Sequence, residues 1–287
     1  MKHPHNGGIL YRSWDEMLRW CGHMERTLLI AVDIGNSRIK CGFFYPEGWK
    51  EEPPLAFKVV SASFSAPDWK PFANELEMVI PEKTRGIWWI ASVNRPATTK
   101  LLELLRVIRP NDELVLVTSS DLPLKTAVPH PDRVGIDRLA AAVGANTLRD
   151  PTRPAIVVGV GTAVTVNALS RDGVFLGGAI ACGASIAARA LHEFTDLLPL
   201  IPTEFESPPD PIGTETPSAM AAGIFWGLVG TVRELIERQR VLLNGTPEVF
   251  VTGGGGHILA SALGQGARFV DNLTLTGIAV AARSALG

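Results

Sequence analysis

Cysteine is scarce in this sequence: Cys21, Cys41 and Cys182 are widely separated, odd in number and without a CxxC pair. That argues against a disulfide framework and a thiolate zinc site, and it fits a reducing, cytoplasmic compartment. An excess of basic charge is also missing. Lys and Arg number 27 against 29 Asp and Glu, a formal net charge of −2, which leaves no electrostatic footprint for nucleic acid or an anionic membrane surface. The sequence has no GxxxxGK[ST] phosphate loop, no HExxH and no GxSxG, and Gly159-x-Gly161 lacks the third glycine of a dinucleotide fingerprint. His192-Glu193 and His257 stand alone, as structural histidines usually do. The uncharged stretch Gly173–Ala188 is Gly- and Ala-rich and slightly short of a bilayer span, so it reads as core. These absences weaken metal, redox, hydrolase, nucleic-acid and membrane readings and leave a small-molecule site.

What is present is a globular composition: 287 residues, 46% hydrophobic and 20% charged, enough for one large domain or two of typical size. Met1–Thr27 differs from the rest, with three of the six histidines, two tryptophans and no clear period. Charges interrupt it too often for a signal peptide. It reads as an N-terminal appendage, with Met24 an alternative start. The chain is then organised around Leu28–Phe44, LLIAVDIGNSRIKCGFF. An apolar run ends in Asp33, the chain turns at Gly35-Asn36-Ser37, and Ile39, Cys41 and Phe43 alternate with Arg38, Lys40 and Gly42. That is the pattern of a strand hairpin. Asp33, Asn36, Ser37 and Lys40 beside a Gly-containing turn suit a metal-bound phosphate, although an ordinary hairpin would use the same turn residues.

Further on, strands are expected at 55–61, 87–91 and 114–117 and helices at 68–78 and 98–108, an alternation that predicts an α/β domain. A proline- and charge-rich loop, 123–133, leads to Val134-Gly135-Ile136-Asp137-Arg138 and an alanine-rich helix, which places Asp137 near a helix start. After a linker-like segment, 150–154, Ala155–Leu169 (AIVVGVGTAVTVNAL) restates the opening hairpin. Gly159, Gly161 and Thr162 align with Asp33, Gly35 and Asn36. Two copies of one unit suggest a duplicated fold, with halves 28–150 and 151–287. Gly177-Gly178 mark a close approach of another backbone or a ligand. A proline-rich loop, 197–213, precedes the clearest helix, 216–240. Gly253–Gly256 then separate a buried strand from another helix, either as a ligand-facing turn or as a slack one. Separated Gly-rich turns after strands, with Asp33, Asp137, Thr162 and Thr216 near them, suit phosphoryl transfer.

Taken in order, DIGNS with Lys40, VGIDR, GVGTAVT, LGGAI, GTETPSAM and TGG resemble the type III pantothenate kinases from about Leu28 to the C-terminus. The resemblance implies the acetate and sugar kinase, Hsp70 and actin superfamily: α/β, with duplicated ribonuclease H-like (actin-like ATPase) halves and a cleft between them. It also implies ATP-dependent phosphorylation of pantothenate to 4′-phosphopantothenate, the first step of coenzyme A synthesis. A homodimer needing Mg²⁺ and a monovalent cation (K⁺ or NH₄⁺) goes with it.

By the same resemblance Asp33, Gly35, Asn36, Ser37 and Lys40 form the first phosphate motif, with Asp33 meeting Mg²⁺ through phosphate. Thr162 belongs to the second motif, and Gly253 and Gly254 to the adenosine turn. Gly135, Ile136, Asp137, Arg138 and Thr216 contact the acceptor, and Asp137 is the proton acceptor. Three departures stand out. Gly159 replaces the usual cation-binding aspartate, Val128 replaces a substrate-contacting tyrosine, and Thr214 replaces a lysine. Two rivals therefore remain open: a nucleotide-binding regulatory protein without catalysis, and a related kinase with another small hydroxyl acceptor.

Overall fold

The computed structural model describes residues 27–45, 53–64, 68–81 and 83–286. The expected appendage 1–27 lies outside these residues except for Thr27, which opens the first strand. Two five-stranded sheets make up the frame. The first has strands β1 (Thr27–Ile34), β2 (Arg38–Phe44), β3 (Lys58–Ser63), β4 (Arg85–Ser92) and β5 (Glu113–Leu116) in the order β3-β2-β1-β4-β5. The second has β6 (Ala155–Val160), β7 (Ala163–Leu169), β8 (Phe175–Cys182), β9 (Glu248–Gly253) and β10 (Ala267–Phe269) in the order β10-β9-β6-β7-β8. Read from the other edge, the second order is that of the first. In both sheets the first three strands form an antiparallel meander and the last two pair in parallel.

Helices complete the layers. Helix α1 (Lys70–Val79) and α2 (Arg95–Ile108) cover the outer face of the first sheet, where Ile30, Val32, Trp88 and Ile90 meet Leu76, Leu101 and Leu105. Asn94 caps α2 by accepting a hydrogen bond from the Ala97 amide at 3.1 Å, and Pro96 lies in the first turn where a missing N–H costs nothing. Helix α3 (Ile136–Leu148) follows the first sheet. The second half carries α4 (Ala184–Glu193), α5 (Thr216–Leu242), α6 (Gly256–Leu263) and α7 (Leu273–Leu286). Phe225, Val229 and Val232 of α5 and Ile258 and Leu259 of α6 bury the outer face of the second sheet. Among the described residues, α5 alone is long and apolar enough to cross a membrane; 33% of its most apolar window is buried, and core helices pass the same test.

The middle layer joins the halves. Helices α3 and α7 lie between the two sheets in one continuous core with Ala31 and Trp89 on one side and Val157 and Phe250 on the other. The alanine-rich composition of both helices has a packing reason: they cross backbone to backbone. A Cβ at Gly277 would collide with the Ala140 carbonyl oxygen, and one at Gly144 with the Leu273 carbonyl oxygen. Large side chains could not be accommodated there.

Most expected elements are present with shifted ends. The third strand runs over 58–63 rather than 55–61, because Leu55, apolar in sequence, is 67% exposed and unpaired with β2. The three-residue β10, with Arg268 and Phe269 exposed, carries no alternation and was not anticipated.

Candidate active site

The two repeated hairpins bring their tips together. Asp33 is the residue of β1 paired with Lys40 on β2, and Gly159 is the residue of β6 paired with Thr165 on β7. The first turn is closed by the Gly35 amide donating to the Arg38 carbonyl at 3.0 Å, the second by the Gly161 amide donating to Ala163 at 3.1 Å. Across the gap, the hydroxyls of Ser37 and Thr162 share a 2.6 Å hydrogen bond. Residues 125 positions apart thus meet at the point where the two phosphate-type turns converge.

Asp33 sits half-buried at the floor of this region. Burial, then the Asp137 carboxylate, push its pKa from an ordinary 3.8 up to about 7, against the opposing pull of Lys40. Beside it, the Cys41 thiol is raised by burial and by Asp33, which removes it as a nucleophile. The Lys40 ammonium donates to Asn272 Oδ1 at 2.9 Å and lies 3.9 Å from Asp271 Oδ1. Asn272, with φ +54°, precedes α7, so Lys40 reaches from the first sheet to the helix that returns from the second.

Asp137 and Arg138 occupy the first turn of α3, directly after Gly135. Asp137 Oδ1 accepts from the Arg138 amide at 2.9 Å. Burial raises the Asp137 pKa, and the Arg138 amide and guanidinium oppose that rise. Burial lowers the Arg138 pKa, with Asp137 opposing. Ile136 points into the core. Gly135, Ile136, Asp137, Arg138, Asp33 and Lys40 are therefore one neighbourhood, and Ser37 and Thr162 form its rim.

Gly253 ends β9 opposite Val160 of β6, with φ +100° and its Cα against the Val160 backbone, where a Cβ would collide. Gly254 beyond it faces open space. A glycine turn at this strand end, beside the β6–β7 turn, keeps the backbone accessible. Gly177 and Gly178 serve the protein itself: Gly178 closes on the Val166 backbone and Gly177 on Val128. Val128 thereby packs the proline-rich loop against β8, which the Thr126–Phe175 bridge also holds.

Thr216 lies on a groove that reaches the second hairpin tip at Gly183, whose amide donates to the Thr162 carbonyl at 3.1 Å. It opens α5 and is exposed, and the groove, apolar and about 780 Å³, runs between α4 and α5 past Cys182, Ala187, Met220, Gly223 and Gly227. Glu215 is committed to capping α5 through a reciprocal pairing with Ser218, and Glu204 is exposed on the proline-rich loop.

At Gly159 the expected cation ligand brings no side-chain oxygen, and Thr165 Oγ1 stands 2.9 Å from where a Cβ would be. Among the described residues no three His, Cys, Asp or Glu side chains gather. The residues present do not fit a carboxylate-bound monovalent cation at this position.

Two residues of the neighbourhood escaped the sequence reading. Asn272 had no motif to mark it. Asn167 had one signal: it is the one amide in the otherwise largely apolar strand Ala163–Leu169, and it is 1% exposed.

Two sheets of one topology, meeting at paired phosphate-type turns, define an actin-like ATPase and sugar kinase fold. Solved structures agree on the fold. A chain from Campylobacter jejuni described as a conserved Baf family transcriptional activator superposes with a TM-score of 0.55 at 18% identity, covering 90% of this chain and 98% of its own. One from Sinorhizobium meliloti described as a 2-dehydro-3-deoxygalactonokinase gives 0.50 at 15% identity, covering 90% and 99%. The family follows from sequence: the type III pantothenate kinase family model matches residues 29–238, and the chain belongs to that family. A type III pantothenate kinase of Dehalococcoides mccartyi is 33% identical over 262 residues, 87% of this chain and 93% of the relative. One of Moorella thermoacetica is 31% identical over 267 residues, 88% and 98%.

Proposed function

We propose that the chain transfers the γ-phosphoryl group of ATP to the primary hydroxyl of pantothenate, giving 4′-phosphopantothenate and ADP in the cytoplasm. The observation that carries this reading is the Ser37–Thr162 hydrogen bond that brings the two hairpin turns together, with Asp33 and Asp137 near enough to feel each other's charge and Lys40 and Arg138 beside them. Residues 28–150 and 151–287 act as the two halves of the kinase, and nucleotide phosphates would take the place of the hydroxyl bridge between them. Gly35, Asn36 and Ser37 on one side and Thr162 on the other then supply amides and hydroxyls to the phosphates. Gly253 and Gly254 flank the adenosine.

Asp137 accepts the proton of the attacking hydroxyl. Its burial-raised pKa makes it a stronger base than an ordinary carboxylate, and the Arg138 amide fixes one oxygen so that the other meets the hydroxyl. Because phosphoryl transfer passes through a loose transition state, orientation of that hydroxyl matters more than early proton removal. Arg138 offers the natural partner for the pantothenate carboxylate.

Asp33 fits the role of holding Mg²⁺ with the phosphates, since burial and then the nearby Asp137 charge make its ionisation costly and a dication would relieve that cost. The ion would supply neutralisation of the phosphate charge. A homodimer completes the reading. The groove between α4 and α5 is apolar, and Phe194, Leu197 and Ile212 near it are more than four-fifths exposed, at 84%, 85% and 81%. Light scattering measures the assembly directly.

The decisive experiment is ADP release with pantothenate, ATP and Mg²⁺, with and without potassium or ammonium. Wild type turns over, equally with and without the monovalent cation, and Asp137→Asn loses about a hundredfold or more in kcat. Absence of turnover in wild type, or equal turnover in the variant, overturns the assignment; ATP binding alone then favours a regulatory role. Turnover with a different small hydroxyl compound favours a changed acceptor.

A further inference from the structure

Asn167 lies on β7 with its side chain buried between the second sheet and α3. Its three hydrogen bonds use both ends of the amide. Oδ1 accepts from Arg138 Nε at 2.8 Å, and Nδ2 donates to Thr165 Oγ1 at 3.2 Å and to the Val157 carbonyl at 3.4 Å. The donors and acceptors around it allow only this orientation of the amide. Arg138 is therefore gripped at Nε, with the Phe175 ring 5.8 Å from its guanidinium carbon. Its two terminal nitrogens have no hydrogen-bond partner among the described residues. An arginine held in this way presents a fork of two parallel donors, the geometry that suits a carboxylate.

The arrangement belongs to the second hairpin alone. By register, Thr165 and Asn167 correspond to Lys40 and Gly42 of the first. Gly42 packs against Leu275 of α7 and offers no polar group. Gly159 is part of the same arrangement. A Cβ there would stand 2.9 Å from Thr165 Oγ1, so the glycine leaves that hydroxyl its place beneath Asn167.

We infer that Asn167 is a positioning residue for the acceptor. Supported by Thr165 in the space left by Gly159, it fixes the Arg138 guanidinium so that both terminal nitrogens meet the carboxylate of the acceptor substrate. The inference rests on the pantothenate kinase reading for the identity of that carboxylate, and on the hydrogen bonds alone for the grip on Arg138.

The test separates the two. Protein labelled with ¹⁵N-arginine gives an Arg138 Nε–H resonance, assigned by its loss in Arg138→Lys. This resonance exchanges slowly with solvent in wild type and in Asn167→Asp, which keeps the acceptor oxygen, and rapidly in Asn167→Leu, which keeps the volume and loses it. In turnover, Asn167→Leu raises the KM for pantothenate about tenfold, the equivalent of one charged hydrogen bond, while the KM for ATP stays within about twofold. Asn167→Asp recovers most of that loss. Unchanged exchange and unchanged pantothenate KM in Asn167→Leu overturn the inference, as does an equal rise in both KM values, which marks a merely structural residue. If Asn167→Leu does not fold, Asn167→Ala carries the same readouts. If wild type does not phosphorylate pantothenate, the proposed function falls, and the Arg138 exchange rate alone upholds or overturns the grip.

Discussion

The two hairpins have one topology and opposite chemistry. In the first, Asp33 and Lys40 face each other across the strand pair, and a carboxylate and an ammonium stand at the mouth of the sheet. In the second, the same two positions hold Gly159 and Thr165. At these positions charge stands in the first copy alone, while in the second copy Asn167 accepts a hydrogen bond from Arg138. Duplication therefore preserved the backbone that aims two turns at one point, while the side chains divided the labour. Under the proposed function, ion handling falls to the first copy and acceptor positioning to the second. The comparison also explains why loss of a carboxylate at residue 159 need not disable the site.

The largest expected effect breaks this division directly. Asp33→Asn lowers kcat by about a hundredfold or more, the scale for removing a group that stabilises charge on a transferring phosphoryl. Gly159→Ala, at the equivalent position, stays within about tenfold, because the atom it meets is the end of the Thr165 side chain. Steady-state kinetics of the pair decide the matter. Comparable losses would mean that the copies share the ion after all.

A smaller effect lies in stability against pH. The Asp33 pKa is higher folded, about 7, than the ordinary 3.8. Between those values the folded state holds a proton that the unfolded state has released, so stability falls as pH rises from about 4 to 7 and stays lower above. Without nucleotide, Asp33→Asn lacks this fall and melts a few degrees higher than wild type at pH 8, with little difference at pH 4. Gly159→Ala keeps the wild-type profile. Thermal melts across pH check both. The smallest effect concerns the tips. Ser37→Ala or Thr162→Ala removes one exposed neutral hydrogen bond and costs less than about 1 kcal/mol in urea denaturation, and the two variants cost the same.

Much of the fold was legible because both hairpins announce themselves by apolar runs ending in a turn, and because Ile39, Cys41 and Phe43 alternate with polar neighbours. Asp137 was legible as a helix-start carboxylate, since α3 begins one residue before it. What escaped depended on tertiary contact. Strand β10 is three residues long and exists because the Val249–Val251 backbone pairs with it. Asn272 matters only because α7 crosses back to the first sheet and meets Lys40. Asn167 could have been marked from sequence: an amide on the inward parity of a doubly buried strand must have partners.

The crossing of α3 and α7 has a mechanical consequence. Gly144 and Gly277 let the two backbones touch, so sliding along either axis would drive carbonyl oxygens into Cα atoms. The pair therefore resists shear between the two sheets that pack on it, and the spacing of the Ser37 and Thr162 tips is set at this one crossing.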